Sequence, residues 1–113
     1  MKLAVVGSRT GFNAALIFDK LLELHPTEIV SGGAMGVDTF AALYANTALI
    51  PITVFTPDWI KYGKRAGAIR NKQIVDYCDK LIAFWDGQSP GTKISIDMAT
   101  KAGKLLNVIL QDH

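Results

Sequence analysis

Cysteine is nearly missing from this chain. The single Cys78 excludes an internal disulfide and leaves no thiolate set for a metal. Its neighbours in a helical pattern are apolar, so it reads as a buried, inert thiol. Histidine is as scarce: His25 in a turn and His113 at the C-terminus join no ligand cluster, and no metal site is indicated. Long hydrophobic runs are absent too. The apolar stretches of five or six residues fall far short of the roughly 20 needed to cross a bilayer. No basic start followed by an apolar run marks a secretory signal, and Met1 leads almost directly into the first apolar run. A cytoplasmic protein without membrane contact is expected.

What is present suits one folded domain over residues 1–113. Half of the residues are hydrophobic and 19% are charged, enough apolar area to offset chain entropy, while 113 residues leave no room for a second core. The net charge of +2 is modest, but its distribution is not even. Lys61, Lys64, Arg65, Arg70 and Lys72 stand together, with no acid between Asp58 and Asp76. Such a run is either a solvated basic face or an anion-binding loop.

Five short apolar runs recur, at Leu3 to Val6, Glu28 to Val30, Ile50 to Phe55, Lys80 to Phe84 and Leu105 to Leu110. They do not alternate apolar with polar, which predicts strands covered on both faces of a parallel sheet. Between them Ala14, Ile17, Phe18 and Leu21, and again Val37, Phe40, Ala41 and Tyr44, follow helical spacing. A third helix is expected over Arg65 to Tyr77 and a fourth over about Gly91 to Ala102, with Gly103 as its C-terminal cap. The alternation predicts a single Rossmann-like three-layer α/β domain, a five-stranded, mainly parallel sheet with helices on both faces.

In such a sheet every strand ends on one side and every following helix starts there, so ligands bind at that carboxyl edge. Gly7-Ser8-Arg9, Ser31-Gly32-Gly33-Ala34-Met35-Gly36-Val37-Asp38, Thr56-Pro57-Asp58-Trp59 and Trp85-Asp86-Gly87-Gln88-Ser89-Pro90-Gly91-Thr92 all fall there. The opposite edge carries ordinary connectors such as Leu24-His25-Pro26-Thr27. Glycine lets an anion approach backbone amides, and a helix beginning just beyond offers free N–H groups and a positive dipole end. Segments 31–36 and 87–92 both fit, so two phosphates or one diphosphate are expected there. Thr92 and Ser89 either add hydroxyl donors or cap the helix. The first segment has Ser31 where the dinucleotide fingerprint needs glycine, and Gly91-Thr92-Lys93 has the wrong order for a Walker loop. Neither a classical dehydrogenase nor a P-loop NTPase is supported.

At these residues the chain resembles the SLOG superfamily of Rossmann-like domains, which includes the Lonely Guy phosphoribohydrolases and the DNA-processing protein A family. The resemblance runs in order through Val6-Gly7-Ser8-Arg9, segment 31–38, Trp59, segment 62–71 (Tyr62 to Asn71), Asp79, Phe84 and segment 87–92. The middle block is most similar to small stand-alone proteins of the YpsA-related type. The resemblance implies binding of a nucleotide or nucleotide derivative, often by a homodimer or larger assembly, as a sensor or as an enzyme. No further cofactor is called for.

The ligand-binding set expected on this basis is Gly7, Ser8, Arg9, Ser31, Gly32, Gly33, Ala34, Gly36, Asp38, Arg70, Asn71, Asp86, Gly87, Ser89, Gly91 and Thr92. Gly32, Gly33, Gly91 and Thr92 would meet phosphate, and Arg9 and Arg70 would add charge-assisted bonds. Asn71 would fix the Arg70 loop or touch a ribose. Asp38 either accepts from a ligand hydroxyl or complements the dipole of its own helix. Trp59 and Trp85 are either base-stacking faces or packing residues. A hydrolase cleaving the N-glycosidic bond of a nucleoside monophosphate is the alternative, with Arg70 in the catalytic set. The Lonely Guy motif, however, carries glutamate where this chain has Ser95, and Asp97 lies about 200° further round the helix. Asp86 would have to substitute as the carboxylate. Single-stranded DNA binding is the second alternative, argued for by the basic run 61–72 and against by the balanced charge and the lack of a multi-aromatic platform.

Overall fold

Each residue of the inner apolar runs is claimed by one of two cores, which is why the runs do not alternate. In the computed structural model, which describes residues 1–111, Leu3 and Val5 of β1 (Lys2–Gly7) point to one face of the sheet and Ala4 and Val6 to the other. The first face is covered by α1 (Ala14–Leu24) and α2 (Val37–Ala48), which bring Ile17, Leu21, Ala41 and Tyr44 against Ile29, Ile82 and Phe84. The second is covered by α4 (Ala66–Tyr77) and α5 (Pro90–Lys101), with Ile74, Val75, Ile96 and Ala99 against Val30, Leu81 and Ala83. Leu3, Ile17, Leu21, Ile29 and Leu81 are fully buried, each stabilising the fold by roughly 1.5–3 kcal/mol.

The five strands are all parallel, in the order β3-β2-β1-β4-β5, with β2 at Glu28–Ser31, β3 at Ile52–Val54, β4 at Lys80–Trp85 and β5 at Leu105–Leu110. The expectation of strands covered on both faces holds for β1, β2 and β4 but not at the edges. Ile52, Val54, Leu106 and Leu110 are exposed, because the helices cover the middle of the sheet, reach only Leu105, Val108 and Ile109 of β5 and stop short of β3.

Local chemistry sets the element ends. Asn13 caps α1 by accepting from the Leu16 amide at 2.9 Å. Gly103, at φ +69°, follows α5 as expected, and the Lys104 amide reaches back to the Ala99 carbonyl at 2.9 Å. Two features depart from the expectation. The helix expected from Arg65 starts at Ala66, and a short helix α3 (Trp59–Tyr62) with a 3-10 turn (Gly63–Arg65) precedes it. Asp58 starts α3 by accepting from the Lys61 amide at 3.0 Å. Cys78 is buried beyond α4, and burial pushes its thiol up. No described helix is long and apolar enough to cross a membrane, and no metal-binding cluster occurs among the described residues. His113 lies outside them.

Candidate functional site

The strand order reverses at β1, whose neighbours β2 and β4 lead the chain away in opposite directions. At the carboxyl end of that switch point lies a cleft of about 340 Å³. Ser8 joins its two sides: its amide donates to the Phe84 carbonyl at 3.0 Å and its hydroxyl accepts from the Asp86 amide at 3.0 Å. Gly7 must be glycine for α2 to approach, since an added Cβ would lie 2.7 Å from a Val37 methyl.

The turn 31–36 closes on itself. The Gly33 amide donates to the Ser31 hydroxyl (3.2 Å), the Ala34 amide to the Asp38 carboxylate (3.0 Å) and the Val37 amide to the Ser8 carbonyl (3.2 Å). Gly36, at φ +78°, sits against the Arg9 backbone so closely that no Cβ could be placed there. Asp38 is buried, and that burial raises its pKa against the opposing pull of the Ala34 amide and the Arg70 charge. Its carboxyl thus stands in the first turn of α2, where an anion would otherwise sit.

The turn 86–92 leaves its far side open. Asp86 accepts from the amides of Ser89 (2.7 Å) and Gln88 (2.8 Å) and from the Ser89 hydroxyl (2.8 Å). These bonds, the Ser89 amide first, hold its carboxyl down at about 2. The Trp85 indole N–H donates to the Ser89 carbonyl at 3.0 Å and pins the turn from behind. Pro90 then starts α5, and neither the Gly91 nor the Thr92 amide has a hydrogen-bond partner among the described residues. A Cβ on Gly91 would meet nothing within 4 Å. The nearly buried Thr92 hydroxyl is likewise without a partner among the described residues.

Arg70 reaches the cleft from α4. Its Nη1 donates to the Gly32 carbonyl at 2.8 Å and its Nε to Asn71 Oδ1 at 3.0 Å, while Asn71 Nδ2 donates to the Gly91 carbonyl at 3.4 Å. Gly32 is glycine because the guanidinium lies over it: a Cβ would be 2.5 Å from Nη1. No ion pair engages Arg70 among the described residues, so its charge faces the cleft uncompensated at salt-bridge range.

Of the expected residues, Gly7, Ser8, Arg9, Gly32, Ala34, Asp38, Arg70, Asn71, Asp86, Ser89, Gly91 and Thr92 line this one cleft. Ser31, Gly33, Gly36 and Gly87 do not. Ser31 is buried beneath its turn, Gly33 faces the Val54 side chain, Gly36 is wedged on Arg9, and Gly87 takes its positive φ beside Asp86. The expected contribution of the Gly33 amide to phosphate binding is corrected accordingly, because that hydrogen is spent on Ser31. Neither tryptophan lines the cleft: Trp85 packs against the second core and Trp59 is exposed over Gly67. Thr10 and Ser95 line it without having been expected. Ser95 lies one helical turn after Thr92, a spacing that already placed it on the same face. Asp97 points away and pairs with Lys93 at 2.8 Å.

Residues 1–62 match the YAcAr family, described as the YspA, cpYpsA-related SLOG family. The Gene 61 protein of Mycobacterium phage D29 is 34% identical over 113 residues, covering 90% of each chain. Among solved structures, DNA processing protein A from Helicobacter pylori shares the fold with a TM-score of 0.73 at 22% identity. That likeness covers 95% of this chain but 64% of the other, so this chain spans less than two thirds of its length. The structure of that protein concerns its single-stranded DNA binding mode.

Proposed function

Because the chain belongs to the YspA, cpYpsA-related SLOG family, we propose that it binds a nucleotide or nucleotide-derived phosphate ligand in the cleft at the carboxyl edge of its sheet. One observation carries the reading. An arginine that makes no salt bridge among the described residues, fixed by the Gly32 carbonyl and Asn71, stands beside the amides that open α5, which have no hydrogen-bond partner among those residues. Phosphate is the group that satisfies a fixed guanidinium and free helix-start amides together. Thr92 adds a hydroxyl donor, and Arg9 lies at the open rim.

Thermal-shift titration with AMP, ADP-ribose, NAD and pyrophosphate tests this. A ligand at 100 times its Kd adds about 2.7 kcal/mol, a rise of roughly 10 °C for a domain this small. A folded sample whose melting temperature ignores every phosphate compound would remove the reading.

Single-stranded DNA is a second reading, favoured by the exposed Lys61, Lys64 and Arg65 beside α4. Salt-sensitive retention of an oligonucleotide, with a slope set by the number of phosphates contacted, distinguishes it. The hydrolase reading finds less support. Ser95 stands on the cleft wall where the resemblance asks for glutamate, and the Asp86 carboxylate is engaged by its own turn. We infer a cytoplasmic protein that forms a homodimer or larger assembly; the β3 edge, unpaired among the described residues, with exposed Ile52, Val54, Trp59 and Ile60, supports the assembly. Light scattering after size exclusion decides the assembly.

A further inference from the structure

A second hollow, of about 550 Å³, opens between the carboxyl end of β3, α3 and α4. Arg70 lines both hollows. Its guanidinium, tied to the Gly32 carbonyl and Asn71, therefore stands as a fixed post between them. The walls of the second hollow are more polar than apolar. Phe55, Pro57, Tyr62 and Ile69 provide the smaller, flat or aliphatic part, and Gln73 adds to the polar part an amide that both donates and accepts. Phe55 is held edge-on to Tyr77 at 5.6 Å, so its ring is positioned before any ligand arrives. Among the described residues Lys61 is the one other cation in the lining, and one oxygen of the Asp58 carboxylate there accepts from the Lys61 amide.

We propose that this second hollow is a nucleobase subsite, taking the base of a ligand whose phosphate rests between Arg70 and the Gly91–Thr92 amides. The inference rests on the nucleotide reading above and adds where the organic half of the ligand lies. The walls match that half in kind. Aromatic and aliphatic surfaces suit the π-face of a base, and an amide with both a donor and an acceptor suits its hydrogen-bonding edge. A second phosphate would find too few cations, and a wholly apolar ligand would leave Arg70 and Gln73 unpaired on desolvation. The volume falls in the range of pockets that enclose small organic ligands.

Calorimetric titration with AMP, GMP, CMP, UMP, ribose 5-phosphate and pyrophosphate, on the wild type and on Gln73→Trp and Gln73→Ala, tests the proposal. Gln73 is exposed on α4, so both variants should melt like the wild type. The best mononucleotide should bind at least about tenfold tighter than ribose 5-phosphate, the gain that one stacked base supplies. Gln73→Trp, which fills the hollow, should erase that gain and leave ribose 5-phosphate within about twofold of its wild-type affinity, while Gln73→Ala should change the preference among bases. Equal affinity for ribose 5-phosphate and all four nucleotides overturns the base subsite and leaves the phosphate cleft standing. So does a Gln73→Trp variant that binds nucleotides as the wild type does. If neither pyrophosphate nor any nucleotide binds, the phosphate cleft itself fails and the subsite with it. Binding of oligonucleotides alone overturns the subsite in favour of the DNA reading.

Discussion

Two glycine-rich turns lie side by side at the carboxyl edge, each between a buried strand and a helix of 12 residues, and they dispose of their amides in opposite ways. In turn 31–36 the acid comes after the glycines, inside the first turn of α2. Asp38 folds back over the turn, takes the Ala34 amide and sets a carboxyl at the positive end of the helix. In turn 86–92 the acid comes first. Asp86 collects the amides of Gln88 and Ser89, which precede the helix, and leaves those of Gly91 and Thr92 facing the cleft. The same residue types thus build a closed structural corner in one place and an open turn with two free helix-start amides in the other. The position of the aspartate relative to the helix start decides which.

The contrast can be broken from either side. The largest effect is expected from Gly36→Ala, where both the positive φ and the Arg9 backbone oppose a side chain. A cost of about 3 kcal/mol should lower the melting temperature by roughly 10 °C or more. Arg70→Ala should come next, in affinity and not in fold. Losing the charge-assisted bonds should weaken phosphate-ligand binding by about 10- to 100-fold in calorimetry, with melting nearly unchanged.

The two acids should then separate by the sign of their pH dependence. The Asp86 carboxyl sits at about 2 in the fold against an ordinary 3.8, so the unfolded chain binds more protons between those values. Its contribution is present above 3.8 and lost as pH falls toward 2, and Asp86→Asn should flatten that acid limb in urea titrations. Asp38 is raised by burial, so the native state holds the extra proton. Stability should fall as pH rises from 3.8 through the raised value, and Asp38→Asn should remove that decline. The smallest effect belongs to Gly91→Ala. A methyl group in open space at the start of α5 should leave melting within a few degrees of the wild type. Calorimetry should nonetheless show weaker phosphate binding, since the methyl stands beside the free amide.

Much of this is legible in the sequence. Runs such as Leu3 to Val6 and Leu81 to Phe84 point to strands buried on both faces, and the parallel topology then draws residues as distant as Ser8, Arg70 and Thr92 to one rim. Less legible was anything decided by a single side-chain rotation. Asp38 as a complement to the dipole and Asp38 as a ligand acceptor read alike in the sequence; its bond to Ala34 fits the first, while its carboxylate still lines the cleft. The short helix α3 escaped notice because four residues hold no periodicity, and the hollow it walls escaped with it. The edge strands looked like inner ones because exposure depends on how far the helices extend over the sheet, not on the apolar content of β3 or β5.

The central place of β1 has a consequence for how the chain comes together on the ribosome. It precedes its partner β4, which begins 78 positions after it, at Lys80. At about 5–20 residues per second, some 4–16 s of synthesis separate the two. Through that interval Val5 and Val6 wait with one flank unpaired. The cleft, whose walls come from both sides of that seam, cannot take shape until β4 and α5 have been made.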